Sequence, residues 1–125
     1  MSVQLNHTIV FVRDKKESAE FLTELFGLPP ATAFGPFLAV QVGDVTLDLD
    51  EVKDVATGHY AFLVSESDFD DIFGRIKKRN LPYWADPFQG QPGEINRNDG
   101  GRGVYFKDPS GHLLEIITRP YGSER

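Results

Sequence analysis

Hydrophobic positions along this chain alternate with polar ones at strand spacing, then recur at helix spacing, and the whole pattern is written twice. The segment Asn6-His7-Thr8-Ile9-Val10-Phe11-Val12 is matched further on by Gly58-His59-Tyr60-Ala61-Phe62-Leu63-Val64. Each is a histidine followed by mostly β-branched or aromatic residues, which predicts a buried strand. A helix start signal follows in both halves: Asp14 with Glu17, and Ser65 with Asp68, at capping-box spacing. Phe21, Leu22, Leu25 and Phe26 then share one helical face, as do Phe69, Ile72, Phe73 and Ile76. Gly27 and Asn80 are suited to end these helices, and Leu-Pro follows each, at Leu28-Pro29 and Leu81-Pro82.

Three strands are expected to close each half. In the first they cover about 31–34, 37–42 and 45–50, separated by the turns Gly35-Pro36 and Gly43-Asp44. In the second they cover about 83–86, 102–107 and 113–118, with Asp108-Pro109-Ser110-Gly111 turning between the last two. The expectation is one α+β domain over 1–125, built from two βαβββ repeats at about 1–52 and 58–120. The Gly-, Pro- and Asn-rich stretch from Pro87 to Gly101 reads as a long loop, either functional or a floppy excursion. The tail from Pro120 to Arg125 is expected to fray.

Bulk properties narrow the function classes. The net charge of −6, from 19 acidic and 13 basic residues, disfavours a nucleic-acid partner. The basic run Arg75-Ile76-Lys77-Lys78-Arg79 suits the negative end of a helix. No cysteine is present, which excludes disulfides and thiolate metal sites. No apolar run is long enough to span a membrane, and no signal peptide is evident, so a cytoplasmic location is expected. Ten phenylalanines point to a well-packed core or a ring-lined pocket.

Strand alternation places three ionisable residues among apolar neighbours: His7 with Ile9 and Phe11, His59 with Ala61 and Leu63, and Glu115 with Leu113 and Ile117. Two imidazoles and a carboxylate suit Fe, Ni, Zn, Mn or Co as divalent ions. On the residues alone, satisfied core histidines, and a Glu115 paired with Arg102 or Arg119, stay equally open.

The final segment Gly103-Val104-Tyr105-Phe106-Lys107-Asp108-Pro109-Ser110-Gly111-His112-Leu113-Leu114-Glu115, with the two strand-opening histidines, resembles the vicinal-oxygen-chelate superfamily of glyoxalases, bleomycin-resistance proteins and ring-cleaving dioxygenases. The resemblance spans essentially the whole chain. It implies that curved mixed sheets form a cup holding one divalent metal ion on His7, His59 and Glu115, with Glu115 also catalytic. Asp48 aligns with Glu115 and is the candidate fourth ligand, although its face also carries Thr46 and Asp50 and suits simple solvation. Arg97 and Tyr105 are candidate substrate contacts, with Trp84 and Tyr60 as further lining residues. His112 is expected to be exposed in its turn and not a ligand.

The function implied is a metal-dependent glyoxalase- or dioxygenase-like enzyme. Its substrate would be a small molecule that chelates the ion through oxygen, in lyase, isomerase or ring-cleaving chemistry. The alternative is a protein that sequesters a drug or metabolite without chemistry, as bleomycin-resistance relatives do. Single-unit relatives form homodimers, some by strand exchange, in which case His7 would serve the partner's site.

Overall fold

A computed structural model describes residues 2–124. The chain divides between Ala56 and Thr57 into two units of the same topology. In the first unit the strands are β1 (His7–Val12), β2 (Thr32–Phe34), β3 (Phe37–Val42) and β4 (Val45–Glu51), with helix α1 (Lys15–Phe26) after β1. Their order in the sheet is β1-β4-β3-β2, with β1 parallel to β4 and the other pairs antiparallel. The second unit repeats this with β5 (His59–Leu63), α2 (Glu66–Lys78), β6 (Tyr83–Trp84), β7 (Gly103–Lys107) and β8 (Leu113–Ile117), ordered β5-β8-β7-β6. The predicted two-repeat α+β architecture is therefore the observed one, with strand ends shifted by a residue or two.

Local chemistry sets the helix limits. The Asp14 carboxylate accepts the Glu17 backbone N–H at 3.0 Å, and the Ser65 hydroxyl accepts that of Asp68 at 3.1 Å. Each such cap stabilises by about 1 kcal/mol. Gly27 ends α1 at φ 68°, a left-handed conformation that costs other residues strain. Asn80, at φ 55°, follows α2, and asparagine tolerates that region better than most residues. The basic residues Arg75, Lys77 and Lys78 occupy the last turn of α2, as expected.

The pleat divides each sheet into a helix-side face and an open face. In the first unit Val10, Val12, Val40, Leu47 and Leu49 are buried, as are Phe21, Leu22 and Leu25 of α1. In the second, Val104, Phe106, Leu114 and Ile116 are buried, as are Phe69, Ile72 and Ile76 of α2. Burying each of these large side chains contributes about 1.5–3 kcal/mol. Phe73 of α2 meets Tyr83 of β6 edge-on, with ring centroids 5.0 Å apart. Arg102 fastens the start of α2: it donates to Glu66 and Asp70, both at 2.8 Å, and lies over the Phe69 ring. Hydrogen bonds from Thr118 and Arg102 hold the Glu66 carboxyl below its ordinary pKa.

Two expectations change and one open reading narrows. The histidine-bearing strands β1 and β5 are not buried throughout; they are edge strands whose residues alternate between exposed and covered. The stretch 87–101 is a tied loop. Asp86 accepts the N–H groups of Gly90 and Gln91, the Asn96 amide reaches the Ala85 carbonyl, and Asn96 bridges Gly103 through its backbone. The tail from 120 to 124 is also tied, because Asp99 accepts the N–H groups of Gly122 and Glu124, while Arg125 lies outside the described residues. Short polar side chains satisfying nearby backbone supply the order that apolar periodicity does not reveal. Among the described residues no helix is long and apolar enough to cross a membrane.

Candidate metal centre

Strand register decides which side chains meet on the open faces. In the second unit His59 pairs with Leu113, and Glu115 lies opposite both Ala61 and Tyr105. His59, Glu115 and Tyr105 therefore project from one face. The His59 Nε2 atom lies 3.1 Å from the Glu115 Oε1 atom. On the other side of the ring, His59 Nδ1 lies 3.2 Å from the Leu113 carbonyl oxygen. A carbonyl only accepts, so Nδ1 carries a proton; Nε2 then either presents a lone pair or, in the imidazolium, donates to Glu115. Two lone-pair groups facing each other at 3.1 Å require a cation between or beside them, either a proton or a metal ion.

Tyr105 flanks the pair. Its ring stacks near that of His59, with centroids 5.9 Å apart and planes 25° from parallel. Its hydroxyl lies near enough to the Glu115 carboxylate to feel its charge. Burial, and then the Glu115 charge, push its pKa well above the ordinary phenol value, so it stays a proton donor. Glu115 is 8% exposed, and neither of the arginines considered as its partner reaches it: Arg102 holds Glu66 and Asp70, and Arg119 holds Glu124.

The first unit holds a related but unequal arrangement. His7 pairs with Thr46, and Asp48 lies two residues on, opposite Ile9 and Ala39. Asp48 is thus the register equivalent of Glu115. The expectation that it is merely solvated fails, because it is only 5% exposed. His7 and Asp48 line a cavity of about 430 Å³ together with Asn6, Gln41, Thr46 and Phe34. The His7 Nδ1 atom lies 2.7 Å from the Asn6 side-chain oxygen, a contact in which Nδ1 donates. Both histidines therefore have Nδ1 facing an oxygen acceptor and Nε2 free of that contact, an arrangement typical of metal-ligating imidazoles.

These residues fit a divalent ion. Two donors about 2.1 Å from one ion at a right angle sit about 3.0 Å apart, close to the His59–Glu115 separation. Among the described residues no three His, Asp or Glu groups converge, so each unit presents its own donors: His59 with Glu115, and His7 with Asp48.

Other expected residues fall elsewhere. Tyr60 pairs with Leu114 on the helix side and does not line the open face. Trp84 pairs with Tyr105 and shares its face. Arg97 is exposed in the tied loop. His112, expected to be exposed, is 1% exposed. Its side chain continues the helix-side series of Leu114 and Ile116, and that parity was the available signal.

The profile of the Glyoxalase/Bleomycin resistance protein/Dioxygenase superfamily matches residues 4–116. The chain belongs to this superfamily. It is 31% identical to the glutathione transferase FosA of Serratia marcescens, over 93% of this chain and 81% of that protein. Two solved structures match it more strongly. The oxidase ChaP-H1 is 58% identical with a TM-score of 0.94, covering 97% of this chain and 99% of that one. The oxidase ChaP-H2 is 57% identical with a TM-score of 0.95, covering all of both chains. These relatives are named as enzymes, and this superfamily member is an enzyme as well.

Proposed function

We propose that this chain is an oxidase of the superfamily, using one divalent metal ion to oxidise a small molecule that binds through two neighbouring oxygens, with dioxygen as oxidant. The observation that carries the metal half of this reading is the His59–Glu115 pair, with Nε2 and Oε1 3.1 Å apart and Nδ1 3.2 Å from the Leu113 carbonyl behind it. Likeness to ChaP-H1 and ChaP-H2 over nearly the whole of each chain supports the oxidative half. His7, His59 and Glu115 are the proposed ligands. The open-face placement of both strand-opening histidines supports including His7. Such ions use imidazole and carboxylate donors, with iron the proposed occupant. The bound ion would supply Lewis acidity toward the chelated oxygens and a route for electrons to dioxygen.

The chain's own residues would do the rest. Glu115 places a buried negative charge beside the bound oxygens. Tyr105, kept protonated, sets its hydroxyl beside that charge. Asp48 lies in the cavity as a further carboxylate, outside the three-ligand set. Arg97 and Tyr105 are the proposed substrate contacts. The cavity beside His7 is lined by amides, hydroxyls and a Phe34 ring, with no lysine or arginine. That lining offers hydrogen bonds to hydroxyl or carbonyl oxygens beside His7, and Arg97, outside the cavity, is the cation proposed to meet the substrate. A homodimer, with His7 supplied to the partner's site, is the proposed assembly.

The test begins with tag-free protein purified without added metal. Elemental mass spectrometry should find about one metal ion per chain, lost in His59→Ala. Oxygen uptake is then followed with catechol, vicinal-diol and hydroxyketone substrates, beside glutathione transfer to fosfomycin. Oxygen uptake without transfer supports the proposal. Transfer without uptake moves the chain to the transferase reading. Mixing His7→Ala with Glu115→Ala subunits should restore part of the activity if sites are shared.

A further inference from the structure

His59 opens β5, an edge strand paired only with β8, so it stands where a strand ordinarily frays. A metal ligand there needs its backbone fixed. The residue before it, Gly58, is gripped at both of its polar groups. Its carbonyl accepts the Leu113 N–H at 3.0 Å, and its N–H donates to the His112 Nδ1 atom at 2.9 Å. His112 itself is held by a turn closed on Asp108, whose carboxylate accepts the N–H groups of His112 at 2.7 Å and Ser110 at 3.0 Å. The Tyr60 ring meets the His112 ring edge-on at 5.4 Å. The imidazole is thus a buried bolt joining the start of β5 to the turn that launches β8, three residues before Glu115.

We infer that His112 is a positioning residue for the metal centre: by accepting the Gly58 N–H it fixes the backbone that presents His59 to Glu115. An acceptor at Nδ1 fixes the ring as the neutral tautomer with its proton on Nε2. The role needs an acceptor at that atom, and a hydrophobic side chain of similar size does not supply one. The first unit shows what the strand pair is like without the bolt. There the Asn6 carbonyl accepts the Thr46 N–H at 2.9 Å, as Gly58 does with Leu113, but the position equivalent to His112 is Val45.

The inference builds on the metal reading of His59, and its test separates the two. His112→Leu removes the acceptor while keeping an apolar side chain of similar size. His112→Asn keeps an acceptor, because the amide oxygen sits close to the position of Nδ1. Backbone amide exchange at Gly58 and His59 is measured in metal-free protein, and metal affinity by competition with a chromogenic chelator. His112→Leu should speed exchange at Gly58 and weaken metal binding by about 10–100-fold, the range for lost outer partners of a metal ligand. His112→Asn should restore both to within about threefold of wild type, on the same scale. Unchanged Gly58 exchange in His112→Leu, or a loss that His112→Asn does not restore, overturns the inference. If the wild type bound no metal, the metal reading would fail, and the exchange result would still decide whether His112 fixes Gly58.

Discussion

The two units place the same residue types at the same register positions, yet only the second brings its donors into contact. His7 stands diagonal to Asp48 as His59 stands diagonal to Glu115. Glutamate is longer by one methylene and reaches its histidine at 3.1 Å, whereas among the described residues no hydrogen bond links Asp48 to His7. The second unit also flanks its pair with Tyr105 and bolts the strand with His112; the matching positions in the first are Ala39 and Val45. One repeat has become a rigid donor pair, and the other has become a polar cavity with a single well-placed imidazole. A duplicated scaffold can therefore specialise its halves through a few open-face residues while the strand and helix pattern stays the same.

The largest expected effect comes from dismantling the rigid pair. Glu115→Gln should lower metal affinity by more than about 100-fold, because loss of a ligand exceeds the loss of an outer partner. Chelator competition reads this, and wild-type affinity would show that the pair holds only a proton. Next is Tyr105→Phe, which removes the hydroxyl beside a buried carboxylate. It should lower kcat/KM by about tenfold, the scale of one charge-assisted hydrogen bond, while metal content stays near wild type. The helix caps should behave alike in the two units: Asp14→Ala and Ser65→Ala should each cost about 1 kcal/mol in urea unfolding. A large inequality would mean that the repeats differ in scaffold as well as chemistry. The smallest effect is expected at Asp48. Asp48→Asn should leave metal affinity within about threefold, as expected of a group outside the proposed ligand set. Asp48→Glu, which lengthens the side chain toward the geometry of the second unit, should tighten binding, and a loss on Asp48→Asn comparable with Glu115→Gln would make Asp48 a ligand.

The fold was legible because its cues are local. Histidine-led alternation, Asp14 and Ser65 as caps, and the turn glycines all act within a few residues of where they stand. The open-face grouping of His59 with Glu115 was legible in part, since strand parity gives the face but not the contact. What escaped was set by registry between distant segments. His112 was read as a turn residue, although it shares parity with Leu114 and Ile116 and so faces the helix side. Likewise, Asn96 and Asp99 look like loop filler, and Asp86 like the end of a strand, until their backbone partners are known. The exposure of β1 and β5 was missed because their composition resembles that of an interior strand, and edge position depends on the order of strands in the sheet.

The pleat also separates two kinds of inheritance. Residues that send side chains toward the helices carry stability, and their neighbours one position along carry chemistry. A mutation that changes what the open face binds, at Ala39, Gln41, Thr46 or Asp48, leaves Val40, Leu47 and Leu49 undisturbed in the core. Such a scaffold can explore substrates by single steps without first risking collapse, and a library confined to those four positions should yield mostly folded proteins.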